Sequence, residues 1–133
     1  MQRIWDSISK KHTDWQLIIH HDTQDVIKAY KSGSIYIMTS SFEGFGLVLI
    51  EAMQCGLPCI AFDCPYGPRE IIEDGETGFL IPYNDDNLFI EKLTYLMEHP
   101  EERERMGKAA KKSVTRFDKL KIMNQWKDIL STP

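Results

Sequence analysis

The sequence holds no uninterrupted apolar run that approaches the roughly 20 residues a membrane span requires. Met1 opens straight into Gln-Arg-Ile-Trp, without the profile of a secretory signal. A basic balance is also missing: 16 Lys+Arg against 20 Asp+Glu give a formal net charge of −4. That removes the electrostatic footprint of a general nucleic-acid binder. Cysteine is scarce and odd in number. Cys55, Cys59 and Cys64 sit in or beside apolar stretches, whereas a secreted disulfide framework prefers even counts in loop-rich chains. Their gaps fit poorly with the paired ligands of a zinc site, and His12, His20, His21 and His99 add no ligand spacing. Buried free thiols, no metal and a cytoplasmic location are the expectations that remain.

What is present points to one hydrophobic core. A chain of 133 residues that is 42 % apolar suits a single domain spanning 1–133, with no second lobe of comparable size. Its apolar runs alternate with helix-like segments. Trp15 to His20 is short and β-prone, followed by Asp22-Thr23 as an N-cap-like pair and a helical stretch from Asp25 to Tyr30 that Gly33 stops. Ile35 to Met38, Cys59 to Phe62 and Phe79 to Ile81 read as further strands. Between them lie a helix from Leu47 to Cys55, closed by Gly56 and Pro58, and a short helix from Arg69 to Ile72 with Pro68 at its first position. Asp74-Gly75 and Thr77-Gly78 punctuate the turn before the last strand. The remainder is helical, with a stripe of Leu88, Ile90, Leu93, Leu96 and Met97 ended by Pro100, and a second charged segment to Arg116. A final stripe carries Ile122, Met123, Trp126, Ile129 and Leu130. Strands that are continuous apolar runs, alternating with helices, predict an α/β fold: a Rossmann-like parallel sheet with helices on both faces.

In open α/β sheets, ligands bind beyond the carboxyl ends of the strands. The loop from Thr39 to Gly46 is such a place. Gly44 and Gly46 let the backbone approach a ligand, and the first N–H groups of the next helix carry the positive end of its dipole, so a phosphate or sugar oxygen fits there. A tight turn explains the same pair of glycines. Two carboxylates sharpen the pattern. Glu51 lies inside Leu-Val-Leu-Ile-Glu-Ala-Met, a helix apolar nearly all round and therefore expected to be buried. A buried carboxylate needs donors; the vicinal hydroxyls of a ribose supply two, and backbone N–H groups of a neighbouring loop are the competing source. Glu43 either meets a ligand or simply stabilises the helix dipole, by roughly 0.3–1 kcal/mol.

The run Glu43-Gly44-Phe45-Gly46-Leu47-Val48-Leu49-Ile50-Glu51-Ala52-Met53, with Cys55-Gly56-Leu57-Pro58 behind it, resembles the E-x7-E signature of retaining glycosyltransferases of family 4. Asp63 to Ile72 and Asp74 to Ile81 continue the resemblance, which covers most of the chain. It implies the C-terminal, donor-binding half of a GT-B fold. By the same resemblance Glu51 binds the ribose hydroxyls of a nucleotide-diphosphate sugar, and Glu43, the catalytic candidate, binds hydroxyls of the transferred sugar. Backbone groups of Gly44, Phe45, Gly46 and Leu47 face the sugar and diphosphate, and no divalent metal or other cofactor is needed. The loop holding Tyr66, Gly67 and Arg69 flanks the cleft; Arg69 meets a phosphate or is simply solvated, Tyr66 stacks on a base or covers apolar surface, and His20 and His21 line the cleft or face solvent.

The family's N-terminal Rossmann lobe, and the Gly-rich stretch with Arg and Lys that grips the diphosphate, have no counterpart in this sequence. Nor does a helix and strand usually found between the elements matching Trp15–His20 and Asp22–Ser40. The expectation is therefore a donor-binding domain, inactive alone, from a longer enzyme that sits in the cytoplasm or peripherally at a membrane. Trp126, Ile129 and Leu130 are then exposed where the last helix crosses to the other lobe, and they can drive self-association. Two alternatives are a nucleotide-sugar binding module without turnover and an interaction domain that uses the Gly-rich loop only for structure. A sugar-nucleotide epimerase fits the Glu43-to-Glu51 spacing less well.

Overall fold

Three of the apolar runs become the strands of one parallel sheet. In the computed structural model, which describes residues 1–19 and 23–131, β1 (Tyr36–Met38), β2 (Cys59–Asp63) and β3 (Gly78–Pro82) lie in the order β1-β2-β3. Ile37 pairs with Ile60, and Ile60 with Phe79. Alternation along the strands divides the core in two. Tyr36, Met38, Cys59, Ala61 and Leu80 face one cluster with Leu49, Met53 and Ile71. Ile37, Ile60, Phe62, Phe79 and Ile81 face the other, with Phe89, Leu93 and Leu96. The expected Rossmann-like sheet, covered on both faces, is what forms.

Helices α2 (Val26–Ser32), α3 (Leu47–Gln54), α4 (Pro68–Ile71), α5 (Asp86–Glu98), α6 (Pro100–Ser113) and α7 (Lys119–Ser131) follow the sequence pattern within a residue or two, with a 3-10 turn at Val114–Phe117 ahead of α7. Pro68 and Pro100 stand at the starts of α4 and α6, where the missing N–H is no loss. Asp85 caps α5 by accepting from the Leu88 N–H at 3.0 Å. At the far end of α5, Arg103 donates to the Leu96 and Met97 carbonyls at 2.6 and 2.8 Å and lies over the Trp15 ring. The last carbonyls of α5 are thereby satisfied from α6.

Three expectations are corrected, and one helix was not anticipated. Residues Trp15 to Ile19 are not a strand: no described residue pairs with them, and Ile18 and Ile19 are more than half exposed. β-propensity measures fit to a pleated surface, and without a ladder partner the run stays extended coil. The helix after it is capped by Asp25, whose carboxylate accepts from the Lys28 N–H at 3.0 Å, rather than by Asp22-Thr23; Asp22, like His20 and His21, falls outside the described residues. An N-terminal helix, α1 (Gln2–Ser9), was not legible, yet it buries Ile4 and Ile8 against the α5 side of the sheet. Finally, α3 is not buried all round. Leu49, Ile50, Ala52 and Met53 are buried, but Leu47 and Val48 face outward.

The exposure expected of the last helix is observed: α7 buries none of its residues, with Trp126, Ile129 and Leu130 at 57, 66 and 78 % exposure.

Close packing at one glycine fixes how α6 meets α3. A β-carbon on Gly107 would stand 2.2 Å from the Gly56 carbonyl oxygen. Gly107→Ala gains about 1 kcal/mol of helix propensity, but the clash is with backbone and cannot be relieved by a rotamer change. A net loss of at least about 1 kcal/mol is expected. A urea midpoint unchanged or raised in the variant contradicts this packing.

Candidate functional site

Because β1 and β2 run parallel, the loops leaving their carboxyl ends emerge on the same edge of the sheet. The first is the segment from Thr39 to Gly46 that leads into α3; the second runs from Cys64 to Gly67 into α4. The two loops touch through their backbones. A β-carbon on Gly67 would lie 2.6 Å from the Phe45 carbonyl oxygen, and Gly67 has φ +80, so both space and conformation call for glycine. Beside it, Tyr66 takes φ +63 and stays exposed, with its ring edge-on to Phe42 at 6.5 Å. Phe45 packs edge-on against Phe117, and the Arg116 guanidinium lies over the Phe117 ring. Arg116 also donates to the Glu70 and Ile71 carbonyls at 3.0 and 2.9 Å. The Gly-rich loop is thus braced from α4 and from the turn before α7.

Gly46, at φ +84, is the N-cap of α3 and offers no side-chain cap. The Leu49 N–H donates back to the Gly46 carbonyl at 2.9 Å, and no side chain caps the N–H groups of Leu47 and Val48 at the positive end of the dipole. Of the two glycines expected to need unusual backbone angles, only Gly46 takes a positive φ. Gly44 is exposed, with nothing within 4 Å of its would-be β-carbon; its lack of a side chain leaves space in front of the loop.

Glu51 is half-buried rather than enclosed, since α3 presents one side to solvent. Within the chain its donor is not the loop amide weighed as the competing source: the Tyr30 hydroxyl donates to Oε2 at 3.0 Å, from 21 residues away in sequence. Among the described residues Oε1 has no hydrogen-bond partner, and no buried side-chain oxygen is left unpaired, so Oε1 is open to solvent. Tyr30 and Glu51 line one cleft of about 870 Å³ with Tyr36, Thr39 and Val48. Glu43 and the 44–47 backbone are outside that lining, while Pro65, Tyr66, Arg69 and Glu70 line a separate cleft of about 370 Å³. The contacts of Phe42 and Phe45 with the 64–67 loop hold the two loops together along one rim of the sheet.

Electrostatics link the two carboxylates. The Tyr36 phenol is pushed up to about 12, first by burial, then by the charges of Cys59, Glu43 and Glu51. Both acids thus act on one phenol, at the first residue of β1. The Tyr30 phenol is raised as well, by burial first and then by its bond to Glu51, so it remains a donor throughout the neutral range. Arg69 is exposed, as the solvated alternative has it, and is paired within the chain: its Nε and Nη2 donate to Asp63 Oδ1 and Oδ2 at 2.9 and 3.0 Å. Tyr30 and Tyr36 were missed by sequence reasoning. Nothing in local spacing signals them, because only the sheet and the crossing of α2 over α3 bring them to Glu51.

Fold and site together describe a Rossmann-like domain with a cleft along β1 that carries Glu51 on its wall. Residues 5–113 match the family described as glycosyl transferases group 1, and the chain belongs to that family. It is 34 % identical over 126 residues to the amylovoran biosynthesis glycosyltransferase AmsD of Erwinia amylovora, covering 95 % of this chain and 35 % of that protein. It is 40 % identical over 96 residues to the sulfoquinovosyl transferase SQD2 of Arabidopsis thaliana, covering 71 % of this chain and 19 % of that one. Among solved structures, the pneumococcal O-GlcNAc transferase GtfA in complex with UDP and GlcNAc superposes with a TM-score of 0.71 at 29 % identity, over 96 % of this chain and 26 % of that one. Anabaena HepE in complex with UDP gives 0.76 at 27 % identity, over 82 % and 30 %. These neighbours are glycosyltransferases of the GT-B fold. The chain spans only about a fifth to a third of the length of these relatives. Among the described residues, no helix is long and apolar enough to cross a membrane.

The raised Tyr36 phenol has a consequence for stability. A folded value near 12 against 10.0 for the free side chain means that the unfolded chain releases the proton first. Its contribution is therefore complete below pH 10 and lost as pH rises to about 12. Ultraviolet titration is expected to show a tyrosinate component delayed to about pH 12 that disappears in Tyr36→Phe. A titration curve of the same shape in both proteins is the contrary result.

Proposed function

We propose that this chain is the donor-binding domain of a retaining glycosyltransferase of family 4, and that it takes a nucleotide-diphosphate sugar. The observation that carries the proposal is Glu51: a half-buried carboxylate with one oxygen held by Tyr30 and the other open to a cleft large enough for a nucleotide. A carboxylate so disposed suits the vicinal hydroxyls of a ribose, which are two donors in one plane. The open N–H groups behind Gly46 suit the anionic diphosphate. Glu43, in the same electrostatic neighbourhood, binds hydroxyls of the transferred sugar. UDP accompanies both solved relatives described above, which makes it the natural first ligand.

No metal is invoked. Transfer requires a second lobe to bring the acceptor and additional positive charge to the leaving diphosphate, since Arg69 is committed to Asp63. On this reading the exposed apolar stripe of α7 lies against that lobe in the whole enzyme. Turnover belongs to the longer protein and donor binding to this domain.

The test is calorimetric titration of UDP into the unsubstituted chain and into Glu51→Gln. The amide keeps the shape but loses the charge, and a hydrogen bond to a charged group is worth about 1.5–3 kcal/mol, so affinity is expected to fall roughly tenfold or more. Equal affinity for the two proteins removes Glu51 from the site and the proposal with it.

A further inference from the structure

A carboxylate on a helix samples several side-chain rotamers, and a ligand that needs it in one of them must bear the ordering cost. Glu51 has that freedom removed in advance. We propose that Tyr30 is a positioning residue, which holds the Glu51 carboxylate in the orientation that receives the ribose diol; the inference deepens the reading of Glu51 given above and rests on it. The Tyr30 hydroxyl donates to Oε2 at 3.0 Å and leaves Oε1 free. Tyr30 is itself fixed from three sides. Its ring meets Tyr36 edge-on at 5.6 Å, its carbonyl accepts from the Gly33 N–H at 3.0 Å where α2 ends, and the start of α2 is capped by Asp25. The donor therefore stands on a braced helix, and it reaches a carboxylate on the neighbouring one across the wall of a shared cleft. A neutral phenol also leaves the carboxylate its negative charge, which an arginine in the same place would offset.

The experiment compares UDP with 2′,3′-dideoxy-UDP, which lacks the diol, on the unsubstituted chain, Tyr30→Phe, Glu51→Gln and the double variant. Tyr30→Phe removes one oxygen and keeps the ring against Tyr36, and near-ultraviolet circular dichroism checks that the packing is retained. The unsubstituted chain is expected to prefer UDP. Tyr30→Phe is expected to reduce that preference about three- to tenfold with dideoxy-UDP affinity unchanged, and to add nothing in the Glu51→Gln background, because the two residues act as one unit. A full preference retained in Tyr30→Phe overturns the role of Tyr30 while leaving Glu51 in place. An equal loss for both nucleotides means that the phenol only supports the fold, and it overturns the inference too. If the unsubstituted chain shows no preference for the diol, the reading of Glu51 itself fails, and the role of Tyr30 falls with it.

Discussion

The site depends on the parallel pairing of β1 with β2. Parallel strands require crossovers, and each crossover here begins with a loop at the same edge of the sheet. Register alone would leave those loops as neighbours without a fixed distance. The backbone contact at Gly67 supplies it, since the Phe45 carbonyl stands where any β-carbon at that position would be. Phe117 and Arg116 then brace the pair from the opposite side, tying the Gly-rich loop to the end of α4. The Gly-rich loop is therefore shaped by backbone geometry rather than by any one side chain.

Charge is divided along this rim. Open N–H groups at the start of α3 offer partial positive charge without a counter-ion. The acids act on the opposite side, where Glu43 and Glu51 both raise the Tyr36 phenol. The cation that the sequence put on the rim does not alter that division, because Arg69 is held by both oxygens of Asp63. A diphosphate at the helix terminus would thus meet dipoles rather than a formal positive charge, which binds an anion but stabilises a developing one less well. On the proposed reading, donor binding and bond cleavage make different electrostatic demands, and these groups suit the first better than the second.

Much of the fold was legible because its signals are local. Continuous apolar runs marked β1, β2 and β3, and the prolines at 68 and 100 marked two helix starts. What failed was non-local. Trp15 to Ile19 has the composition of a strand, but whether it pairs depends on a partner that composition does not specify. The short α1 lacks a side-chain cap and acid in its first turn, and only its packing against α5 makes it stable. Around the candidate site, the Thr39–Gly46 loop and the two acids were marked by residue type, and the loop holding Gly67 by the resemblance. The degree of burial of Glu51 was not, because an apolar helix can still leave one side open, as Leu47 and Val48 do. Its partner Tyr30 was illegible for the same reason that it matters: the bond joins two helices that only the tertiary fold brings together.

Asp63 and Glu51 show what decides whether an acid on this rim is available to a ligand. Asp63 is met by a guanidinium that fills both oxygens in a planar fork, and such a pair is satisfied in charge and in geometry. Adding a ligand there would break two charge-assisted bonds. Glu51 is met by one neutral hydroxyl on one oxygen. It is oriented without being neutralised, and its half-buried setting lowers the local dielectric, so a new hydrogen bond to the open oxygen is stronger than the same bond in water. Two carboxylates on the same rim therefore do opposite work: one pins α4 to the end of β2, and the other faces an open cleft with its charge intact.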